Sequence, residues 1–202
     1  MTDRSVIAAD RSVIYARRVP NTAPTDAPPN TRQALLDAGA AVAGEQGLAG
    51  LSVNRVVAAA GVAKGTFYVH FRDRSAFVDA LHERFHEQVQ EAAAGATAGL
   101  EPGAERIFRG AEAYLDVCLA NRAVKALALE ARSDPSLSAS MAARHDRAAA
   151  AAIPSLKAMG WPDAAAAAQL LSAMTAEIAV RELDAGKRLP ASRRALQRFL
   201  GA

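Results

Sequence analysis

Between Gly61 and Phe71 the chain reads Gly-Val-Ala-Lys-Gly-Thr-Phe-Tyr-Val-His-Phe. This short string holds an ammonium, two hydroxyls and an imidazole, groups that donate to phosphate oxygens and base edges. On a helix, at about 100° per residue, Phe67 and Phe71 share one side and should pack inward. Gly65 and Val69 fall roughly opposite, with Thr66 and Tyr68 flanking them. Gly65 has no side chain where the backbone and a nucleic acid would approach closest. Lys64 adds a charge at the helix N-terminus. Ser52 caps a preceding helix and, with the amides it caps, offers a further phosphate site. Taken singly, Thr66 and Tyr68 could merely tile a solvated surface. The run as a whole is more particular than its members.

Other pairs suggest other chemistry and carry it less far. Cys118 and His145 could serve as nucleophile and base, but they lie far apart with no local pattern around either. His82 and His86 stand at i, i+4, which can suit a metal. However, His82 is followed by Glu83, Arg84 and Phe85, which is no zincin spacing, and the chain supplies no obvious third ligand. A solvated helix face explains that pair more simply. No catalytic residue, metal or cofactor is expected. Phe108, Tyr114, Cys118, Met141, His145 and Trp161 could line a small-molecule pocket between the helices of a bundle. Phe and Met at helical spacing serve equally well as core. Arg144-His145-Asp146 reads as a solvated helical turn.

The elements that must position these residues are helices. Thr31 can cap a first helix carrying Leu35, Ala38, Gly39 and Val42, which ends among Gly44, Gly47 and Gly50. Ser52 caps a second, with Val53, Val56, Val57 and Ala60 at i, i+3, i+4 and i+7. Gly61 suits a sharp left-handed turn, and a third short helix covers about Ala63 to His70. Two short helices joined by a tight glycine turn have the helix-turn-helix layout. A long fourth helix runs from about Asp73 to Gly95. Further helices are expected from Pro102-Gly103 to Leu119, from Asn121 to Arg132, and from Asp134 past Pro154 to the break at Met159-Gly160-Trp161-Pro162. Two more should cover Asp163–Ala185 and Ser192–Leu200. No strand pattern is visible.

Composition agrees. Apolar residues make up 51% of 202, enough for a real core, and 51 residues are alanine, the best helix former. Val, Ile and Thr together number only 26, thin for an all-β protein. The longest uncharged run, 13 residues between Asp163 and Glu177, is too short to cross a bilayer. With no secretory signal visible and one cysteine, Cys118, a cytoplasmic location is expected. The net charge of +3 is unevenly spread. Residues 1–30 carry +1, residues 31–76 carry +2, and residues 77–202 balance to zero. A locally basic module beside a neutral helical body suggests an anion-binding head. Residues 1–30 read as an extension that opens with a duplication, Asp3-Arg-Ser-Val-Ile7 and Asp10-Arg-Ser-Val-Ile14. It continues as a linker marked by Pro20, Pro24, Pro28 and Pro29.

Taken with Thr31-Arg32 ahead, Gly47 and Ser52-Val53 between, and Arg72-Asp-Arg74 behind, the 61–71 string resembles the DNA-binding head of the tetracycline-repressor (TetR) family. The resemblance is specific over about Thr31–Leu81; beyond that only helix count and lengths are similar. It implies an all-α, dimeric transcriptional regulator, most often a repressor of a palindromic operator, whose C-terminal body binds a small-molecule effector that lowers DNA affinity. Residues 31–76 would be the helix-turn-helix domain and 77–202 the regulatory domain. By this resemblance Lys64, Thr66, Tyr68, His70 and Arg74 match positions that usually touch DNA. His70 beside Phe71 reads equally as a packing histidine, and Arg74 could instead pair with Asp73 or Glu83. The sequence departs from the family at Ala63, where a capping Ser or Thr is usual, and at Ser75, where an acidic residue is frequent. The dimer contact is expected from Leu170, Leu171, Met174 and Ile178 with Leu196, Phe199 and Leu200, and Ala164 and Ala168 should allow close helix approach. A DNA-binding architectural protein without a ligand is the alternative, against which the long helical body argues. A small helical enzyme is a remote one.

Overall fold

A computed structural model describes residues 30–121, 143 and 146–201. Outside them lie the N-terminal extension apart from Asn30, Met141, His145, and most of the helices expected from Asn121 and from Asp134. All regular structure among the described residues is helical.

The head is built by α1 (Thr31–Gly50), α2 (Val53–Ala60) and α3 (Lys64–His70). Leu35, Leu36, Val42 and Ala43 give α1 its buried side. Thr31 is the first helical residue and is itself buried, so the position ahead of the helix falls to Asn30, whose carbonyl accepts from the Ala34 amide at 2.9 Å. α1 bends at Gly47 (φ 65°), a conformation other residues rarely adopt, and ends at Gly50. A Cβ at Gly39 would collide with the Phe77 ring, so the glycine sets how closely α1 and α4 (Arg74–Ala96) approach. Asp73 caps α4 by accepting from the Ala76 amide at 2.8 Å.

The long α4 belongs to two cores. Its Phe77, Val78 and Leu81 close the first core with Leu35, Leu36, Phe67 and Phe71. Its Phe85 and Val89 enter the second with Ile107, Phe108, Leu115 and Cys118 of α5 (Ala104–Ala120). That second core is completed by Leu156 of α6 (Ile153–Ala158), by Leu171 and Ile178 of α7 (Ala164–Ala185), and by Leu196 and Leu200 of α8 (Pro190–Leu200). The helix expected to run from Asp134 through Pro154 is broken ahead of the proline: 151–152 form a turn and Pro154 opens α6. Proline lacks the amide that an interior position must donate, but it fits a first turn.

Three elements of the body are tied by an ion cluster whose centre, Glu182 and Arg193, is buried. Glu182 of α7 accepts two hydrogen bonds from Arg193 of α8, at 2.8 and 2.7 Å. The same guanidinium reaches Asp116 of α5 at 2.8 Å, and Arg188 holds the other Asp116 oxygen at 2.8 Å. Glu182 also accepts from the Leu189 amide. Burial alone would raise the Glu182 carboxyl. The hydrogen bonds from Arg193 and Leu189, with the nearby positive charge, outweigh it and hold the group below its ordinary value. Arg193 is correspondingly raised, chiefly by its hydrogen bond to Glu182.

Of the seven expected dimer residues, Leu171, Ile178, Leu196 and Leu200 are instead part of this protomer's own core. Ala164 and Ala168 are buried there too. Leu170, Met174 and Phe199 stay exposed, at 68%, 40% and 74%. The apolar pattern of α7 is wide enough for two contacts, and residues 171 and 178 lie on the stripe next to 170 and 174.

Candidate nucleic-acid interface

The turn that sets α2 against α3 follows from two local devices. Ser52 Oγ accepts from the Arg55 amide at 3.4 Å, starting α2. Gly61 (φ 68°) ends it, with the Gly61 amide on Ala58 O and the Val62 amide on Val57 O. The left-handed glycine reverses the chain in few residues, so α3 begins only a turn later. Ala63 stands at its N-cap in extended conformation with no side-chain hydrogen bond.

Aromatic packing fixes the rotation of α3. Phe67 is fully buried, with ring centroids 5.2 Å from Phe77 and 5.4 Å from Phe71, and Phe71 lies 4.9 Å from Phe77 in an edge contact. With that side pinned, the opposite side must face solvent. Lys64 and Gly65 are exposed, Thr66 is half-buried, Tyr68 is 50% exposed and Val69 80%. A Cβ at Gly65 would meet nothing within 4 Å, so no internal packing requires the glycine. The Tyr68 ring packs edge-on against Phe67 at 5.4 Å while half of the residue stays exposed. One short helix thus leaves a cation, a phenol and bare backbone exposed, with a half-buried hydroxyl beside them.

The remaining candidates divide. Ser52 is exposed and its hydroxyl caps α2, leaving it at the helix N-terminus where an anion would bind. His70 is half-buried, its Nε2 is enclosed, and its ring lies 6.4 Å from Phe71, nearer to the packing reading than to an open contact. The Arg74 Nε donates to the Leu51 carbonyl at 2.7 Å, stapling the start of α4 to the α1–α2 junction. Asp73 is paired with the exposed Arg72 at 3.1 Å. Two further cations of the head are exposed. Arg55 on α2 is exposed and donates to Gly50 O at 3.1 Å. Arg32, in the first turn of α1, lies with its guanidinium 5.3 Å from the Phe71 ring centroid. No local signal reveals the Arg32 contact, because its partner lies far along the chain.

In the body, Phe108 and Cys118 are buried in the second core and Tyr114 is half-buried at its edge. Trp161, expected with them, is 45% exposed in the turn after α6 and lies outside that core. The Gly160 turn carries it to the surface. An open groove of about 590 Å³ runs along the exposed side of α8, lined by Ala191, Arg194, Ala195, Arg198 and Phe199. No described helix is long and apolar enough to cross a membrane.

Residues 35–81 match the family model described as bacterial regulatory proteins, tetR family. No curated protein matches the chain. Solved structures extend the similarity of fold across the body. A TetR-like transcriptional regulator from Rhodococcus sp. RHA1 is 21% identical with a TM-score of 0.68, covering 83% of this chain and 91% of its own. A transcriptional regulator of the TerR/AcrR family from Aquifex aeolicus VF5 is 17% identical with a TM-score of 0.70, over 85% and 98%. The multidrug binding protein EbrR, complexed with imidazole, is 24% identical with a TM-score of 0.66, over 85% and 96%. The head of the chain thus matches the tetR family of bacterial regulatory proteins over residues 35–81, and the chain shares the all-helical fold of these solved regulators.

Proposed function

We propose that the chain is a cytoplasmic repressor that binds a palindromic operator as a homodimer and is released by a small molecule held in residues 77–202. The observation that carries this reading is the outward face of α3, with Lys64, Gly65, Thr66 and Tyr68 accessible while Phe67 and Phe71 lock the helix from behind. In this reading Lys64 and Tyr68, one turn apart, stand over adjacent phosphates, while Thr66 on the other flank reads a base edge. Ser52 adds a phosphate contact, and Arg74 and His70 act mainly by holding α3 in place. Exposed Leu170, Met174 and Phe199 favour a second copy docking on α7 and α8. The fold shared with EbrR, itself a multidrug binding protein, favours a small organic effector.

The test is a salt titration on an operator selected from random duplexes by the purified protein. Lys64→Ala should weaken all sequences about equally. One phosphate per half-site goes unneutralised, two per dimer, so the slope of log K against log salt should become shallower by about 1.8, at ~0.9 per phosphate. Thr66→Ala should leave the slope nearly unchanged and cost about 1–3 kcal/mol at one base pair per half-site. A Lys64→Ala protein with altered specificity and an unchanged slope would overturn this division of labour. A monomer at micromolar concentration in sedimentation would overturn the homodimer.

A further inference from the structure

The long α4 leaves the head core at Leu81 and enters the body core at Phe85, one turn later. α1 lies against it there: Ala40 packs against both cores, and Gly39 lets the two helices close on the Phe77 ring. The angle at which the head stands on the body is decided at this seam. Apolar burial is non-directional and roughly proportional to area. Packing therefore holds the two helices together more firmly than it fixes their rotation.

Arg84 supplies the direction. Its side chain is only 16% exposed; Nη1 donates to Asp37 Oδ1 at 2.6 Å and Nη2 to Leu36 O at 3.2 Å. These partners lie 47 and 48 residues back along the chain, on α1. Two donors in one rigid plane fix orientation as well as distance, and a main-chain acceptor has no rotamer with which to follow a rotation. Glu87, one turn along α4, lines the same cavity of about 70 Å³ as Arg84, Arg32 and Gln33, yet the guanidinium crosses to α1. A fully exposed pair would hold little. This one is enclosed on the arginine side and anchored to backbone.

We infer that Arg84 is a positioning residue for operator recognition: by clamping α1 to α4 it fixes the angle of each head, and with it the separation of the two α3 helices. This rests on the reading of the protein as a homodimer whose α3 faces a palindromic operator. Base preference within a half-site belongs to α3, whereas the spacing between half-sites belongs to the clamp. One base pair changes that spacing by about 3.4 Å and turns one half-site by about 34° against the other. A head held at one angle must refuse the neighbouring spacings, and a head free to swing accepts them.

The experiment uses the full-length protein and three duplexes: the operator it selects, and the same half-sites with one base pair added or removed at the centre. Wild type should prefer the selected spacing. Arg84→Met keeps the apolar stem and loses both donors, and should narrow that preference by about tenfold, the scale of one charge-assisted hydrogen bond. Asp37→Ala, at an exposed position, should narrow it by about threefold, the scale of an exposed ion pair, since Leu36 O keeps its donor. Arg84→Lys should restore part of the preference. A variant that merely lost stability would bind all three duplexes more weakly by one factor, leaving their ratio unchanged. Lys64→Ala should likewise weaken all three alike. Wild-type ratios in Arg84→Met would overturn the clamp, and wild-type ratios in Asp37→Ala would do so even if Arg84→Met failed to fold. Equal binding of the three spacings by wild type would overturn it too. If Arg84→Met narrowed the preference while Lys64→Ala changed nothing, the clamp would stand and the reading of α3 would fall.

Discussion

Gly65 separates what folding needs from what binding needs. It occupies the first turn of α3, and a Cβ there would touch nothing. Glycine inside a helix costs about 1 kcal/mol against alanine, so Gly65→Ala should leave stability unchanged or raise it by up to about that amount. On the proposed reading the same methyl would stand where α3 approaches DNA and should weaken operator binding. Thermal denaturation and a binding titration on one preparation check both halves. Unchanged affinity would mean that the backbone of α3 does not approach the duplex closely. Arg74 shows the opposite case: a side chain placed by family resemblance on DNA has its Nε committed to the Leu51 carbonyl. Residue type alone could not distinguish the two, because a guanidinium serves carbonyl and phosphate equally well.

At the scale of the element, α3 is the weakly specified helix of the head. It has seven residues, no side-chain cap, and Phe67 as its buried anchor. Ala63 already has the extended backbone of an N-cap (φ −70°, ψ 149°) and is exposed. Ala63→Ser should therefore need no rearrangement and should stabilise the protein by about 0.5–2 kcal/mol. Equilibrium denaturation gives the answer, and an unchanged midpoint would mean that packing on Phe77 alone decides α3. Most helix boundaries in the described residues were legible because the devices that set them are local: Ser52, Gly61 and Asp73 each act within four residues. The break ahead of Pro154 was misplaced because proline closes one helix and opens another by the same chemistry.

At the scale of the whole molecule, the ion cluster of Asp116, Glu182, Arg188 and Arg193 joins distant segments. Removing one member of a buried ion pair leaves its partner uncompensated and costs about 3–5 kcal/mol. Glu182→Gln should cost toward the lower figure, since Arg193 keeps Asp116. The pH dependence follows from the direction of the shift. A carboxyl held below its ordinary value contributes stability above the unfolded pKa of about 4.3 and loses it as pH falls through the folded value. Wild type should thus lose stability on acidification below about pH 5, and Glu182→Gln should show a shallower loss over that range. Denaturation midpoints from neutral to acid pH test this; parallel curves would show that other carboxyls dominate.

By itself the sequence determined the all-helical fold class, the turn at Gly61, and which side of α3 is apolar. All of these follow from spacing within one or two helical turns. Only the tertiary structure decided that Leu171, Ile178, Leu196 and Leu200 fill the core of the body, and that Leu170, Met174 and Phe199 stay exposed. It alone decided that Trp161 lies at the surface, that Arg32 stacks on Phe71, and that Asp116, Glu182 and Arg193 meet in one ion cluster. The physical reason is common to all of these. Helical periodicity gives the direction of a side chain relative to its own axis, whereas burial depends on which other axis lies alongside, and that depends on contacts between residues far apart in the chain.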